Sequence, residues 1–249
     1  MTDTLLDGRP AAGEVRIGHI FSSAWQIFTA NFVKFFIITA VIALPSTLLV
    51  AWSPQPITPA SPGFGWRIGL GGVLAFVLHM LAQAIILYIA FQYLRGQTAS
   101  LGDAFQKALP RLLPILGAIV LVLLGWTIGF VLLVIPGVML MVRWSVAVPA
   151  CLLERLGPLA SLKRSAELTK GHRWKIFGTF LPVWLVSLIV SGLLTVFARL
   201  LGPTVVLAAK LVWAAAWGAY FNSVWVMVYH DLRVAKDGVD IEQIAAVFD

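Results

Sequence analysis

Two cations stand where cations are least at home. Arg143 and Lys210 each fall inside a long apolar run, and Arg67 and Arg199 stand at the edges of such runs. With the runs taken as 138–153 and 204–230, helical rise puts Arg143 and Lys210 roughly 8–9 Å below the outer edge. Four cations with no predicted acid among them suit an anion, and a phospholipid phosphate is the anion found at that depth. Arginine binds it as a bidentate fork. Two other uses compete: both side chains can snorkel to the outer surface, and Arg143 can cap carbonyls freed by Pro149 and Pro136.

The remaining polar residues of the runs are few. His79 and Gln83 share a helical face at i and i+4, and Asn222 lies in the last run. Such groups turn toward a bundle interior, where an interhelical hydrogen bond is worth about 0.6 kcal/mol. The four histidines, His19, His79, His172 and His230, lie on separate segments without ligand spacing, so no metal site is expected. The single Cys151 excludes an internal disulfide framework and a cysteine-based zinc site, and no cofactor is implied. No Asp or Glu falls inside a run, which argues against a carboxylate proton relay. No motif supports Ser-His-Asp catalysis. Outside the runs, Arg155, Lys163, Arg164, Lys170, Arg173 and Lys175 form a basic loop facing one acid, Glu167. Its cations fit anionic headgroups at about 1 kcal/mol each, or serve as a topology signal alone.

The elements that must hold these residues follow from composition. Of 249 residues 60% are hydrophobic and 12% charged, with a mean hydropathy of +0.92. A soluble globule of this size could not be covered with so little charge. A bilayer is therefore part of the solvent. The net charge of +7 then reads as attraction to anionic lipid, not to nucleic acid. Six apolar runs approach the roughly 20 residues that cross a membrane: 35–52, 68–94, 112–135, 138–153, 176–198 and 204–230. Breaks carry turn chemistry at Ser53 to Trp66, at Pro136-Gly137 and at Gly202-Pro203. If Pro136-Gly137 only kinks a helix, the count falls to five. Residues 1–14 lack the pattern of a cleaved signal. All 11 acids, and every Lys or Arg except the four cations above, fall on the side of the termini. Multi-pass topology with both termini cytoplasmic is the expectation.

Each odd-numbered run follows an amphipathic segment, giving expected interfacial helices at 15–34, 100–111 and 158–171, with a fourth at 240–248. The first has an apolar stripe of Ile17, Ile20, Phe21, Ala24, Ile27 and Phe28. The second starts at Ser100 with Asp103 as a capping box and carries Leu101, Ala104, Phe105, Ala108 and Leu109. The third sets Leu159, Leu162 and Ala166 against Lys163, Arg164, Glu167 and Lys170, ending at Gly171. Even-numbered runs also end alike: Arg95, Arg155 and Arg233 each mark an inner edge. The expected fold is an all-α integral membrane protein with six spans as three hairpins, each preceded by an interfacial helix. Gly125 with Gly129, Ala214 with Gly218, and Ala215 with Ala219 are small-residue pairs for close helix contact, within the chain or between copies.

Several of these residues fall in a familiar arrangement. Pro136-Gly137, Arg143-Trp144, Pro149, Glu154, Gly157-Pro158, Lys163-Arg164-Ser165, Leu168-Thr169-Lys170-Gly171 and His172-Arg173-Trp174 resemble the membrane domain attached to some bacterial glycerophosphoryl diester phosphodiesterases. Tyr229-His230-Asp231-Leu232-Arg233 with Gly238 to Glu242 is similar to its tail, and Ala24-Trp25 with Asn31-Phe32 to its start. The resemblance implies a helical protein of the bacterial cytoplasmic membrane. The His-Arg-Gly and Glu-Asn-Thr of the catalytic barrel are missing, so no enzyme is expected. The partner expected is membrane phospholipid, bound or organised at the outer-half cations, with a second copy or another membrane protein left open. A transporter or flippase is the alternative, suggested by parallel repeats and by helices expected to break at Pro45, Pro149 and Pro182.

Overall fold

The structure is a computed structural model describing residues 16–51, 64–201 and 203–238. The tail 1–14, most of the Ser53 to Trp66 connection and the segment 240–248 lie outside these. Among the described residues there are nine α-helices and no strand: α1 Ile17–Ala51, α2 Phe64–Leu94, α3 Leu101–Ala108, α4 Leu112–Leu132, α5 Val134–Arg143, α6 Ala147–Leu153, α7 Pro158–Thr169, α8 Arg173–Leu201 and α9 Pro203–Asp237. Six stretches are long and apolar enough to cross a membrane. That is the make-up of a multi-pass membrane protein. On their outer surfaces, large apolar side chains stand exposed in rows, Leu124, Ile128 and Val131 to Ile135 on α4 and α5, and Leu185, Leu188, Ile189 and Val196 on α8. Hydrocarbon covers such rows without penalty.

Element boundaries differ from the sequence reading in four places. The segment 15–34 and the span 35–52 run on as the single helix α1, because Asn31 turns its amide onto the Ile27 carbonyl 3.1 Å away and so interrupts nothing. The break between spans three and four falls at Leu133, not at Pro136-Gly137. Leu133 is extended, and Pro136 is the third residue of α5, where the first turn has no use for its missing N–H. Span four is itself interrupted at Trp144 to Val146, between α5 and α6. The last span runs on to Asp237 as part of α9. Helix α1 continues through Pro45 and α8 through Pro182, so neither proline breaks a helix.

The core lies toward the end of the bundle that holds the start of α1 and the close of α9. Helix α1 packs along α9 and α2, α4 along α5, and α8 along α9. Ile20, Ala24, Ile27 and Phe28 of α1 are buried, as are Val224 and Val226 to Tyr229 of α9. The Ser100 cap forms as expected, its hydroxyl accepting the Asp103 N–H at 3.0 Å. On α3 only Ala104 and Ala108 of the apolar stripe are buried, while Leu101, Phe105 and Leu109 are exposed. Helix α7 departs further from its sequence pattern. It buries Ser161, Ser165 and Thr169 beside Leu162 and Leu168, and leaves Leu159 exposed. Small hydroxyl residues let α7 approach α4 and α6 closely, and Ser165 and Thr169 donate to the Arg143 carbonyl at the end of α5.

Candidate functional site

Arg143 is the tenth and last residue of α5, about 14 Å along the helix from Val134. It continues an exposed stripe with Ile135, 73% accessible, and Met139, 53% accessible, each one turn further back. No hydrogen bond or ion pair holds its side chain among the described residues. The carbonyl-capping role is thus not seen; the Arg143 carbonyl instead accepts Ser165 Oγ at 2.9 Å and Thr169 Oγ1 at 3.2 Å. Lys210, the eighth residue of α9, is also exposed, and no hydrogen bond joins it to Arg143. Arg67 lies in α2 and Arg199 in α8; their side chains lie outside the described ones.

His79 and Gln83 do not bridge helices. The Gln83 amide meets His79 Nε2 at 3.1 Å within α2, and Asn222 donates to the Gly218 carbonyl at 2.7 Å within α9. Both α2 residues line a cavity of about 380 Å³, walled by Trp126, Trp144, Trp184 and Trp225. Trp126 Nε1 and the Gln83 carbonyl oxygen are buried there without a partner. The aromatic walls make it a slot for apolar groups, with a few polar atoms inside.

The basic loop divides. Lys163, Lys170 and Lys175 are exposed and Arg173 is half-buried, but Arg164 is committed to the protein. Its Nε lies 2.9 Å from Glu154 Oε2 and its Nη2 donates to Asp237. Burial alone would lower the guanidinium's pKa, and the bonds to Asp237 and Glu154 outweigh it and raise the pKa above its ordinary value. Tyr229 donates to Glu154 Oε1 at 2.8 Å, and Arg233 stands 3.6 Å from the same oxygen and 3.5 Å from Asp237. These residues tie the end of α6 to α7 and to the last turns of α9. Nothing in the spacing of Glu154, Arg164 and Asp237 announces the cluster, because Asp237 comes 73 residues after Arg164.

A second polar link lies nearby. Asp231 Oδ2 is 3.7 Å from His19 Nδ1, Asp231 Oδ1 is 3.3 Å from His230 Nδ1, and Ser23 Oγ is 3.4 Å from His19 Nε2. Serine, histidine and aspartate thus stand in the order of a hydrolytic triad. The contacts exceed the roughly 2.6–3.2 Å such a relay uses, and Ser23 is buried between α1 and α9. The arrangement fastens the start of α1 to the end of α9.

A polar cavity of about 800 Å³ opens between α2, α3, α6 and α9. Arg95, Lys107, Arg111, Arg155 and Arg233 line it, with Glu154 as its acid. Arg95, Arg155 and Arg233 are the three arginines that close the even-numbered spans; the sequence showed them as a pattern, and the fold brings them to one place. Arg155 holds φ at +54°, the left-handed region that residues with a Cβ seldom adopt. Its carbonyl accepts Arg111 Nη1 at 3.2 Å.

No family model, no curated protein and no solved structure matches the chain.

Proposed function

We propose that the chain is a non-catalytic protein of the bacterial cytoplasmic membrane that binds or organises phospholipid through outer-half cations, Arg143 foremost. The observation that carries this reading is the position of Arg143 on the exposed stripe of Ile135 and Met139, with no protein acceptor among the described residues. A guanidinium on an apolar face needs an anion, and a lipid phosphate meets that need at the cost of no rearrangement of the chain. Lys210, likewise exposed, supplies a second charge. The cavity of about 380 Å³, walled in part by Met141, Val142 and Trp144, lies on the other side of the same helix and suits an acyl chain. In this reading the spans form three hairpins, α3 and α7 lie at the inner interface, and both termini face the cytoplasm, as the distribution of Lys and Arg suggests. The resemblance to the phosphodiesterase-linked membrane domain agrees with this placement.

Native mass spectrometry of the full chain with co-purified lipid tests the reading. Wild type retains phospholipid, and Arg143→Ala loses most of it without a change in melting temperature. Equal retention by both proteins overturns the site.

A further inference from the structure

Beyond the outer-half reading, and independent of it, we infer that the cavity between α2, α3, α6 and α9 binds a phosphate ester, borne on a lipid headgroup or on a water-soluble molecule. The cavity lies at the end of the bundle where His19, near the start of α1, meets Asp231, near the close of α9. Arg95 follows α2, Lys107 is on α3, Arg111 closes the short 3-10 turn Leu109–Arg111, Arg155 follows α6 and Arg233 is on α9. Five cations from five segments face one space.

Arg233 is met by Glu154 and Asp237, but among the described residues no acid pairs with Arg95, Lys107 or Arg111. Glu154, the one acid of the lining, already accepts from Arg164 and Tyr229. Arg95 carries a buried Nε without a partner, and its only described side-chain bond is a long one of 3.5 Å to Gln92. Bringing like charges together costs free energy that burial increases, so a fold gathers them where an anion repays it. A divalent metal is excluded by the same charges. A carboxylate offers two acceptor oxygens, whereas a phosphate ester offers more, spread over a tetrahedron that arginine forks from several helices reach together. The volume of about 800 Å³ exceeds what an inorganic ion fills and suits an esterified group.

The backbone supports the same conclusion. Arg155 is the one non-glycine residue with positive φ among the described residues, and it sits in this wall. Strain of this kind costs about 1–3 kcal/mol and gathers at functional sites. Here it turns the Arg155 carbonyl onto Arg111 and holds two lining segments together. The convergence of Arg95, Arg155 and Arg233 also gives the threefold sequence pattern a purpose: each repeat contributes one cation to a shared site.

The full chain carries the test in two arms. In detergent, sn-glycerol 3-phosphate is titrated by calorimetry; in nanodiscs of phosphatidylcholine with phosphatidic acid, lipid retention is read by native mass spectrometry. Wild type binds in at least one arm, and Arg95→Gln and Arg111→Gln each weaken that binding about tenfold. Lys107→Gln serves as the variant certain to fold, since its side chain is exposed without a described partner, and it weakens binding in the same arm. Loss in the first arm assigns a soluble ester, and loss in the second a lipid headgroup. Binding absent from wild type in both arms, or unchanged in all three variants, overturns the inference. So does loss in Arg143→Ala alone, which would move the phosphate to the outer-half residue.

Discussion

Arg164 and Glu154 form a near-symmetric pair, Arg164 Nε lying 3.1 Å from one carboxylate oxygen and 2.9 Å from the other. The pair joins α7 to the end of α6, and Tyr229 and Asp237 extend it to α9. Its side chains are 22% and 16% accessible, between the exposed pairs that contribute almost nothing and the buried pairs whose rupture costs several kcal/mol. Removing one partner strands the other beside Tyr229 or Asp237. Arg164→Gln should therefore lower stability by about 2 kcal/mol, and Glu154→Gln by a similar amount. In a double-mutant cycle read by thermal unfolding in detergent, the two losses should be far from additive. Additive losses would mean that the pair does not couple.

The glycines of α4 give a sharper contrast. A Cβ on Gly129 would lie 2.9 Å from the Gly137 Cα, and one on Gly125 would lie inside the Trp144 ring. Both glycines therefore serve contact between α4 and α5 of the same chain. At Gly129 the obstacle is backbone, which cannot swing aside. Gly129→Ala should destabilise by about 1–3 kcal/mol, the usual cost of overpacking. At Gly218 a Cβ meets nothing within 4 Å, and Gly218→Ala should be neutral or stabilising by about 0.5–1 kcal/mol through helix propensity. Thermal unfolding of the two single variants checks both signs, and a tolerant Gly129 would refute the close approach.

That contrast also marks how far the sequence could be read. Spacing alone named Gly125 with Gly129 and Ala214 with Gly218 as equivalent small-residue pairs, yet only the first sits under another helix, because periodicity does not say which face a neighbour covers. Ser100 was legible as a cap because its partner, Asp103, is three residues away. The Pro136-Gly137 pair misled for a physical reason: proline is tolerated in a first turn, and the glycine is needed against the Phe130 ring, not for a turn. Arg143 and Lys210 were found by type, as charges in apolar runs. The polar cavity was visible only as Arg95, Arg155 and Arg233 recurring at span ends. What made them a site is tertiary: five segments meeting, which no local pattern encodes.

The interruption of span four at Trp144 to Val146 falls one turn before Pro149, the break expected from sequence, because proline has no N–H for the Ser145 carbonyl; α7 and α9 then hold the opened backbone. Ser165 Oγ donates to the Arg143 carbonyl at 2.9 Å and accepts the Val146 N–H at 3.3 Å, Thr169 Oγ1 reaches the same carbonyl, and Trp225 Nε1 donates to the Ser145 carbonyl. These partners satisfy backbone groups left open by the interruption, the Ser145 carbonyl among them because Pro149 has no N–H to offer it. A buried backbone group left unpaired costs about 1–3 kcal/mol. Ser165→Ala removes a donor and an acceptor at once, so it should destabilise by at least that amount, about 2–4 kcal/mol, despite deleting a single oxygen. Ser165→Thr keeps the hydroxyl and should recover most of the loss if the methyl is accommodated, while Ser165→Cys, of similar size and a poor donor, should not. Thermal unfolding ranks the three variants. If alanine and cysteine match wild type, Pro149 suffices to set the break between α5 and α6, and the hold of α7 on the interruption is disproved.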